Sequence, residues 1–195
     1  MDRDLLKVLD QLHDDPTYTK FEDKLINDKF NEIKSEIIAE FNNHPITREI
    51  DGGIDAPNYS GTLNGITNLY SFIGFDSGDD PIAPIRMILN KSNFRIIRQK
   101  KGSVSTVVFE IPTASQIFAE TPMPWAVGRS WAKGIETGIS GLGYYLKKAR
   151  NSRSGLGVQS QTQIRQGVVF RNTKYISDLI NRYNVKIKNL EKLVI

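Results

Sequence analysis

The strongest periodicity in the chain lies between Phe21 and Phe41, where Phe21, Leu25, Ile26, Phe30, Ile33, Ile37, Ile38 and Phe41 recur at spacings of three and four. That spacing predicts a long amphipathic helix. Thr19, with Glu22 three residues on, reads as a capping box at its start, and Pro45 forces it to end by Asn42 or Asn43. Glu22, Lys29, Glu32, Glu36 and Glu40 take the opposite face, which reads as solvated. Upstream, Leu5, Leu6, Leu9 and Leu12 predict a short helix over 3–13, broken at Asp14-Asp15-Pro16. Near the other terminus, Ile176, Leu179, Ile180, Tyr183, Ile187 and Leu190 make a second stripe, with Asn172 as the expected cap.

Between these helices the pattern shortens. His44 to Gly65 has no periodicity and many turn formers (Asp51-Gly52-Gly53, Ala56-Pro57-Asn58, Ser60-Gly61), so a long functional or partner-ordered loop is expected. Ile66 to Phe75 reads as a strand covered on both faces, with Leu69, Ile73 and Phe75 opposite Tyr70 and Phe72. An acidic turn, 76–80, precedes a short helix over 81–90, and Thr113 to Glu120 predicts another helical turn. Residues 93–111 form the clearest hairpin. A two-residue turn at Gly102-Ser103 pairs Phe94 with Ile111, Ile96 with Phe109, Arg98 with Val107, and Arg95 with Glu110.

Pro122 to Gly143 holds both tryptophans, Trp125 and Trp131, and five glycines within 22 residues. Such a stretch is either a tightly packed core or a surface built to be covered. Alternation over Trp131 to Ile139 suggests a strand, with Ile135 to Gly138 in the core, and Val158 to Phe170 suggests a last strand. The expected fold is α+β: a curved antiparallel sheet with a long hairpin, packed against the N-terminal amphipathic helix and the C-terminal helix. It is read as one domain over 1–195, with a helical extension at 1–18 and a basic arm or loop at 147–157.

Charge adds a polarity that hydropathy does not show. The net charge is +4, yet residues 1–90 carry 17 acidic against 8 basic side chains and residues 91–195 carry 5 against 18. A chain with one acidic and one basic half can meet a copy of itself head to tail, and its basic half can also meet nucleic acid. There is no cysteine, which rules out disulfides and thiolate chemistry and suits a reducing cytoplasm. The charged start lacks a signal peptide's apolar run, and no apolar stretch is long enough for a membrane span.

The search for chemistry finds no site. The two histidines, His13 and His44, do not form a metal-ligand pair and read as capping or surface residues. Gly128-Arg129-Ser130-Trp131-Ala132 lacks the second glycine of a nucleophile elbow, and neither a phosphate loop nor a dinucleotide fingerprint occurs. Counting a calcium loop from Asp76 puts Met87 where the bidentate Glu belongs, so the acidic turn reads as solvated. No catalytic residue, metal or cofactor is expected. Lys147, Lys148, Arg150 and Arg153, with Tyr144, Tyr145 and Phe170 nearby, are the candidate DNA-facing or arm residues.

The order of a long amphipathic helix, a Gly-rich loop with SGTLNG (Ser60 to Gly65), a strand of the type LYSFIGF (Leu69 to Phe75), a long hairpin and PMPWAVGRSWAKGIETGISGLGYYL (Pro122 to Leu146) resembles small virion proteins of tailed bacteriophages, and among them neck and tail-completion proteins. Gly61-Thr62-Leu63 and Ile135-Glu136-Thr137-Gly138 occupy positions comparable to that family's patterns. The resemblance implies a structural protein without a reaction of its own, forming a ring at the head-tail junction around the DNA channel. It would be made in the host cytoplasm and incorporated in the virion, in contact with itself and with neck, portal-adaptor or tail-tube proteins. Trp125, Arg129, Trp131, Ile54, Tyr59 and Leu63 are then the expected subunit-interface residues. The alternative is a basic nucleic-acid-binding protein with no enzymatic activity.

Overall fold

A computed structural model describes residues 15–63, 68–98, 106–138, 145–148, 157–159 and 172–194. The fold is mixed α+β and mostly helical, built on one long helix. Helix α1, Pro16–Asn43, starts on Asp15, whose side chain accepts from the Thr17 amide at 2.7 Å, with Pro16 at the first helical position. The cap is therefore Asp15, four residues before the expected Thr19. The expected end at Asn43 is observed, as His44 turns extended ahead of Pro45. The boundary drawn at residue 18 falls inside α1, and the helix expected over 3–13 lies outside the described residues.

Only part of the α1 stripe is core. Ile26, Phe30, Ile37 and Phe41 are buried, with Ile33 and Ile38 packed beside them, whereas Phe21 is 65% exposed and Leu25 43%. At about 100° per residue, Leu25 points a quarter turn or more away from Ile26 and away from the body that covers it.

The partner of α1 is the C-terminal helix α7, Ile176–Val194, which packs along it. All six residues of the expected stripe, from Ile176 to Leu190, are buried. Lys186 meets Glu36 at 2.6 Å and Arg182 meets Glu40 at 2.5 Å. Rising numbers on one helix meet falling numbers on the other, so the pair is antiparallel. Glu36 and Glu40, read as part of a solvated face, are thus half of a seam between the acidic and the basic part of the chain. Each bridge is partly solvated and contributes about 0.2–1 kcal/mol, so the seam sets register more than stability.

Three segments read otherwise in sequence are helical. Helix α2, Pro45–Asp51, and a 3-10 turn, Gly53–Asp55, occupy what was expected to be loop. Ile46 and Ile50, four apart, bury their side chains in the core. Helix α3, Leu69–Ile73, replaces the expected strand: Asn68 caps its first turn through Ser71 N at 2.9 Å, and Gly74, at φ 92°, ends it in the left-handed region. Leu69, Tyr70, Phe72 and Ile73 are all buried, which one short buried helix achieves as well as a strand covered on both faces. Helix α4, Ala83–Asn90, is where the apolar run 81–90 put it.

Strands β1, Asn93–Ile97, and β2, Thr106–Glu110, form the expected antiparallel hairpin, but Phe94 faces Phe109 and Ile96 faces Val107. The shift from the expected register is two residues, so every side chain keeps its face. Phe94 and Phe109 close on Phe30 of α1, with ring centroids 5.1 and 5.8 Å away, and this contact selects the register. Arg95 still meets Glu110, at 3.5 Å, now diagonally. The Gly102-Ser103 turn lies outside the described residues.

Helix α5, Ala114–Ala119, has a complete capping box from Thr113 and Gln116. A small hairpin of β3, Pro122–Met123, and β4, Ala126–Ser130, follows, then helix α6, Trp131–Thr137. The strand expected over 131–139, with Ile135 to Gly138 as its core, is therefore a helix: Ser130 Oγ caps it through the Lys133 amide at 3.0 Å, and Gly138 ends it at φ 93°. Strands β5, Tyr145–Lys148, and β6, Gly157–Gln159, pair as a third hairpin; the rest of the last strand expected over 158–170 lies outside the described residues. Among the described residues the strands form three separate two-stranded sheets in place of one curved sheet.

The buried side chains form one cluster joining α1, α2, α3, α4, α6 and α7. Trp125 sits in it, and replacing Trp125 with Ala is expected to destabilise the fold by about 3–5 kcal/mol in chemical denaturation. Unchanged stability with impaired association would show instead that the indole serves a neighbouring chain.

Candidate functional site

Two buried polar side chains organise the segment between α2 and α3. Glu49, fully buried on α2, accepts from Ser60 N through Oε2 and from Leu69 N through Oε1, both at 2.7 Å. Asn68 donates its side-chain amide to the carbonyls of Ile54 at 2.8 Å, Ala56 at 2.9 Å and Gly53 at 3.2 Å. One carboxylate and one amide therefore satisfy backbone groups that a chain this rich in turn formers would otherwise bury unpaired. Neither residue was singled out in sequence; a Glu between two isoleucines on a short apolar helix was the available signal.

The frame displays side chains outward. Ile54 is 58% exposed and Tyr59 46% exposed, with the Arg48 guanidinium 4.5 Å from the Tyr59 ring centroid. These two expected interface residues are at the surface, as is Arg129 on β4. Leu63 is not: it is fully buried in the core. Trp125 and Trp131, expected at an interface, are 4% and 1% exposed and pack into the core instead of standing out from the surface. The Trp125 indole donates to Ile73 O at 2.7 Å, and Trp131 meets Phe75 edge-on at 5.9 Å. The tryptophans hold α3 and α6 together. Lys147 and Lys148 lie on β5, while Arg150 and Arg153 are outside the described residues.

The remaining polar groups are similarly engaged. Glu136, on α6, accepts from Ser177 N at 2.7 Å and Tyr175 N at 3.3 Å and from Ser177 Oγ at 2.5 Å, so it caps α7 from across the core, where Asn172 was expected to do so. Thr47 and Tyr175 share a buried hydroxyl contact at 2.6 Å, and burial pushes the Tyr175 phenol up far beyond its ordinary range. Ser130 Oγ, besides capping α6, meets Thr121 Oγ1 at 2.7 Å. His44 caps α2, its Nδ1 accepting from Ile46 N at 3.2 Å, as one of the two roles expected for it. In the acidic turn, Asp79 binds the Asp76 amide at 2.9 Å and Asp80 binds those of Ala83 at 3.0 Å and Ile82 at 3.2 Å. No group of three or more metal-ligating side chains occurs among the described residues.

The buried positions thus work in capping and bracing, and two of the features that face outward matter below. One is the Ile54–Tyr59 patch. The other is a cleft of about 270 Å³ between the acidic turn, the start of α4 and β3, lined by Pro84, Pro122 and Trp131 and edged by Asp79, Asp80 and Glu120.

Glu49→Gln leaves one acceptor oxygen where two amides point, so it should cost about 1–3 kcal/mol and raise amide exchange at Ser60 and Leu69 first. Burial, followed by the Arg182 charge, lowers the His44 pKa below its ordinary value. The unfolded chain then binds more protons than the folded one below about pH 6.5, so this contribution is complete above that pH and is lost as pH falls through the folded pKa. Denaturation midpoints at pH 7.5 and 5.5 should differ less in His44→Asn, whose side chain can still cap α2, than in the wild type; an equal difference would remove His44 as the cause.

No family model matches the chain, and neither the curated proteins nor the solved structures compared with it give a match.

Proposed function

We propose that this chain is a structural subunit of a tailed-phage virion, a neck or tail-completion protein whose copies form a ring joining head and tail around the DNA channel. The reading rests on the sequence resemblance carried by Ser60 to Gly65, Leu69 to Phe75 and Pro122 to Leu146, while the strands that this resemblance implied at Leu69 to Phe75 and Ile135 to Gly138 are helices here. The observation that carries it physically is the Ile54–Tyr59 patch. Large apolar side chains are held in water by a segment tied from within by Glu49 and Asn68, and covering them recovers solvation free energy without the cost of ordering the loop. Ring closure needs two different faces per subunit, and the opposite charges of the two halves favour head-to-tail neighbours.

Light scattering and electron microscopy of the purified protein, alone and with neck, portal-adaptor and tail-tube proteins, test the reading. The expected result is a closed oligomer or a stable joint complex. Ile54→Ser with Tyr59→Ala should weaken assembly by about tenfold or more while leaving the melting temperature nearly unchanged. A protein that stays monomeric with all of these partners, or assembly indifferent to the double substitution, contradicts it.

A further inference from the structure

The charge polarity of the sequence is partly spent inside the molecule. Glu36 and Glu40 meet Lys186 and Arg182, and Glu22 and Asp23 meet Arg98, each pair joining the acidic half to the basic half. Asp79, Asp80 and Glu120 form no ion pair among the described residues. They edge the proline-lined cleft, where Asp79 and Asp80 spend one oxygen each on backbone amides. Proline contributes no N–H, so walls made by Pro84 and Pro122 offer apolar surface and nothing that would hold an anion. The cleft suits a cationic side chain whose alkyl stem lies on the prolines while its head reaches the carboxylates.

The chain itself has a matching excess. Residues 137–177 contain seven basic side chains and no acidic one. Four of the seven, Lys147, Lys148, Arg150 and Arg153, belong to the β5–β6 hairpin or to the sequence joining its strands. Among the described residues the main contacts of β5 and β6 are with each other. A two-stranded hairpin is by itself marginal in water and gains from docking.

We propose that the acidic proline cleft receives the basic β5–β6 hairpin of a second copy of this chain. This rests on the reading of the chain as a self-assembling subunit and names the contact through which one copy takes the next. The contact pairs two different parts of the chain, the cleft of one copy with the hairpin of the next, which is the heterologous pairing a ring needs.

Complementary charge reversal tests it. Glu120→Lys with Asp79→Lys alters the cleft, leaving Asp80 and its bonds to the Ile82 and Ala83 amides in place, and Lys147→Glu with Lys148→Glu alters the hairpin. Sedimentation at low and high salt should show wild-type association that weakens with salt, a loss of about tenfold or more in either variant alone, and recovery when the two are mixed. Asp79→Asn with Glu120→Gln, which removes charge without adding bulk, should show the same loss in smaller measure, and unchanged melting temperatures keep folding out of the comparison. Wild-type assembly indifferent to all variants overturns the contact while leaving the ring reading intact; a wild type that never associates, alone or with virion partners, removes both. Mixed variants that fail to recover, or hairpin variants that lose only DNA binding, show that the hairpin serves its own chain or nucleic acid, and overturn the proposal.

Discussion

The structure depends on the antiparallel contact between α1 and α7. Two apolar stripes, lying at opposite ends of the sequence, can leave water only by meeting, and everything between them must then fit into the loop they close. Lys186–Glu36 and Arg182–Glu40 set the register of that contact in partial solvent, where they add little energy but penalise a slip of either helix. Once α1 and α7 are paired, α2 and α3 fill one flank and the β1–β2 hairpin rests its Phe94 and Phe109 on Phe30.

Buried polar residues then do what a regular sheet would otherwise do, which is to satisfy backbone groups. Glu49, Asn68 and Glu136 each reach across from one element to the amides or carbonyls of another. A charged or amide side chain placed this way is costly unless fully paired, so it fixes one arrangement of its neighbours. The result is a set of short helices and hairpins whose outer surfaces are partly apolar. Ile54 and Tyr59 owe their exposure to residues that never meet solvent.

What the sequence reveals here follows the length of each pattern. Both long helices were legible because eight and six apolar positions at helical spacing leave no other reading. The short elements were not. Leu69 to Ile73 and Trp131 to Thr137 are five and seven residues long, too short for periodicity to separate helix from strand. The decisive signals flanked them: Asn68 and Ser130 before, Gly74 and Gly138 after. Turn geometry alone puts the hairpin two residues from the register in which Phe94 and Phe109 both reach Phe30 of α1. Of the candidate interface, Ile54, Tyr59 and Arg129 were legible as surface, while Trp125, Trp131 and Leu63 were taken into the core. A Trp-Gly segment looks alike in either role until one sees that Trp125 reaches the Ile73 carbonyl.

The proposed contact divides the charge: pairs such as Glu36–Lys186 close the chain on itself, whereas the acidic cleft and the basic hairpin would join one copy to the next. Zero-length carboxylate-amine cross-linking of an equal mixture of unlabelled and nitrogen-15-labelled protein, read by mass spectrometry, separates the two directly. The account predicts Glu36–Lys186 links within single isotopic populations and Glu120–Lys147 links that pair labelled with unlabelled chains. Glu120–Lys147 links confined to one isotopic population, or Glu36–Lys186 links that mix, would contradict it.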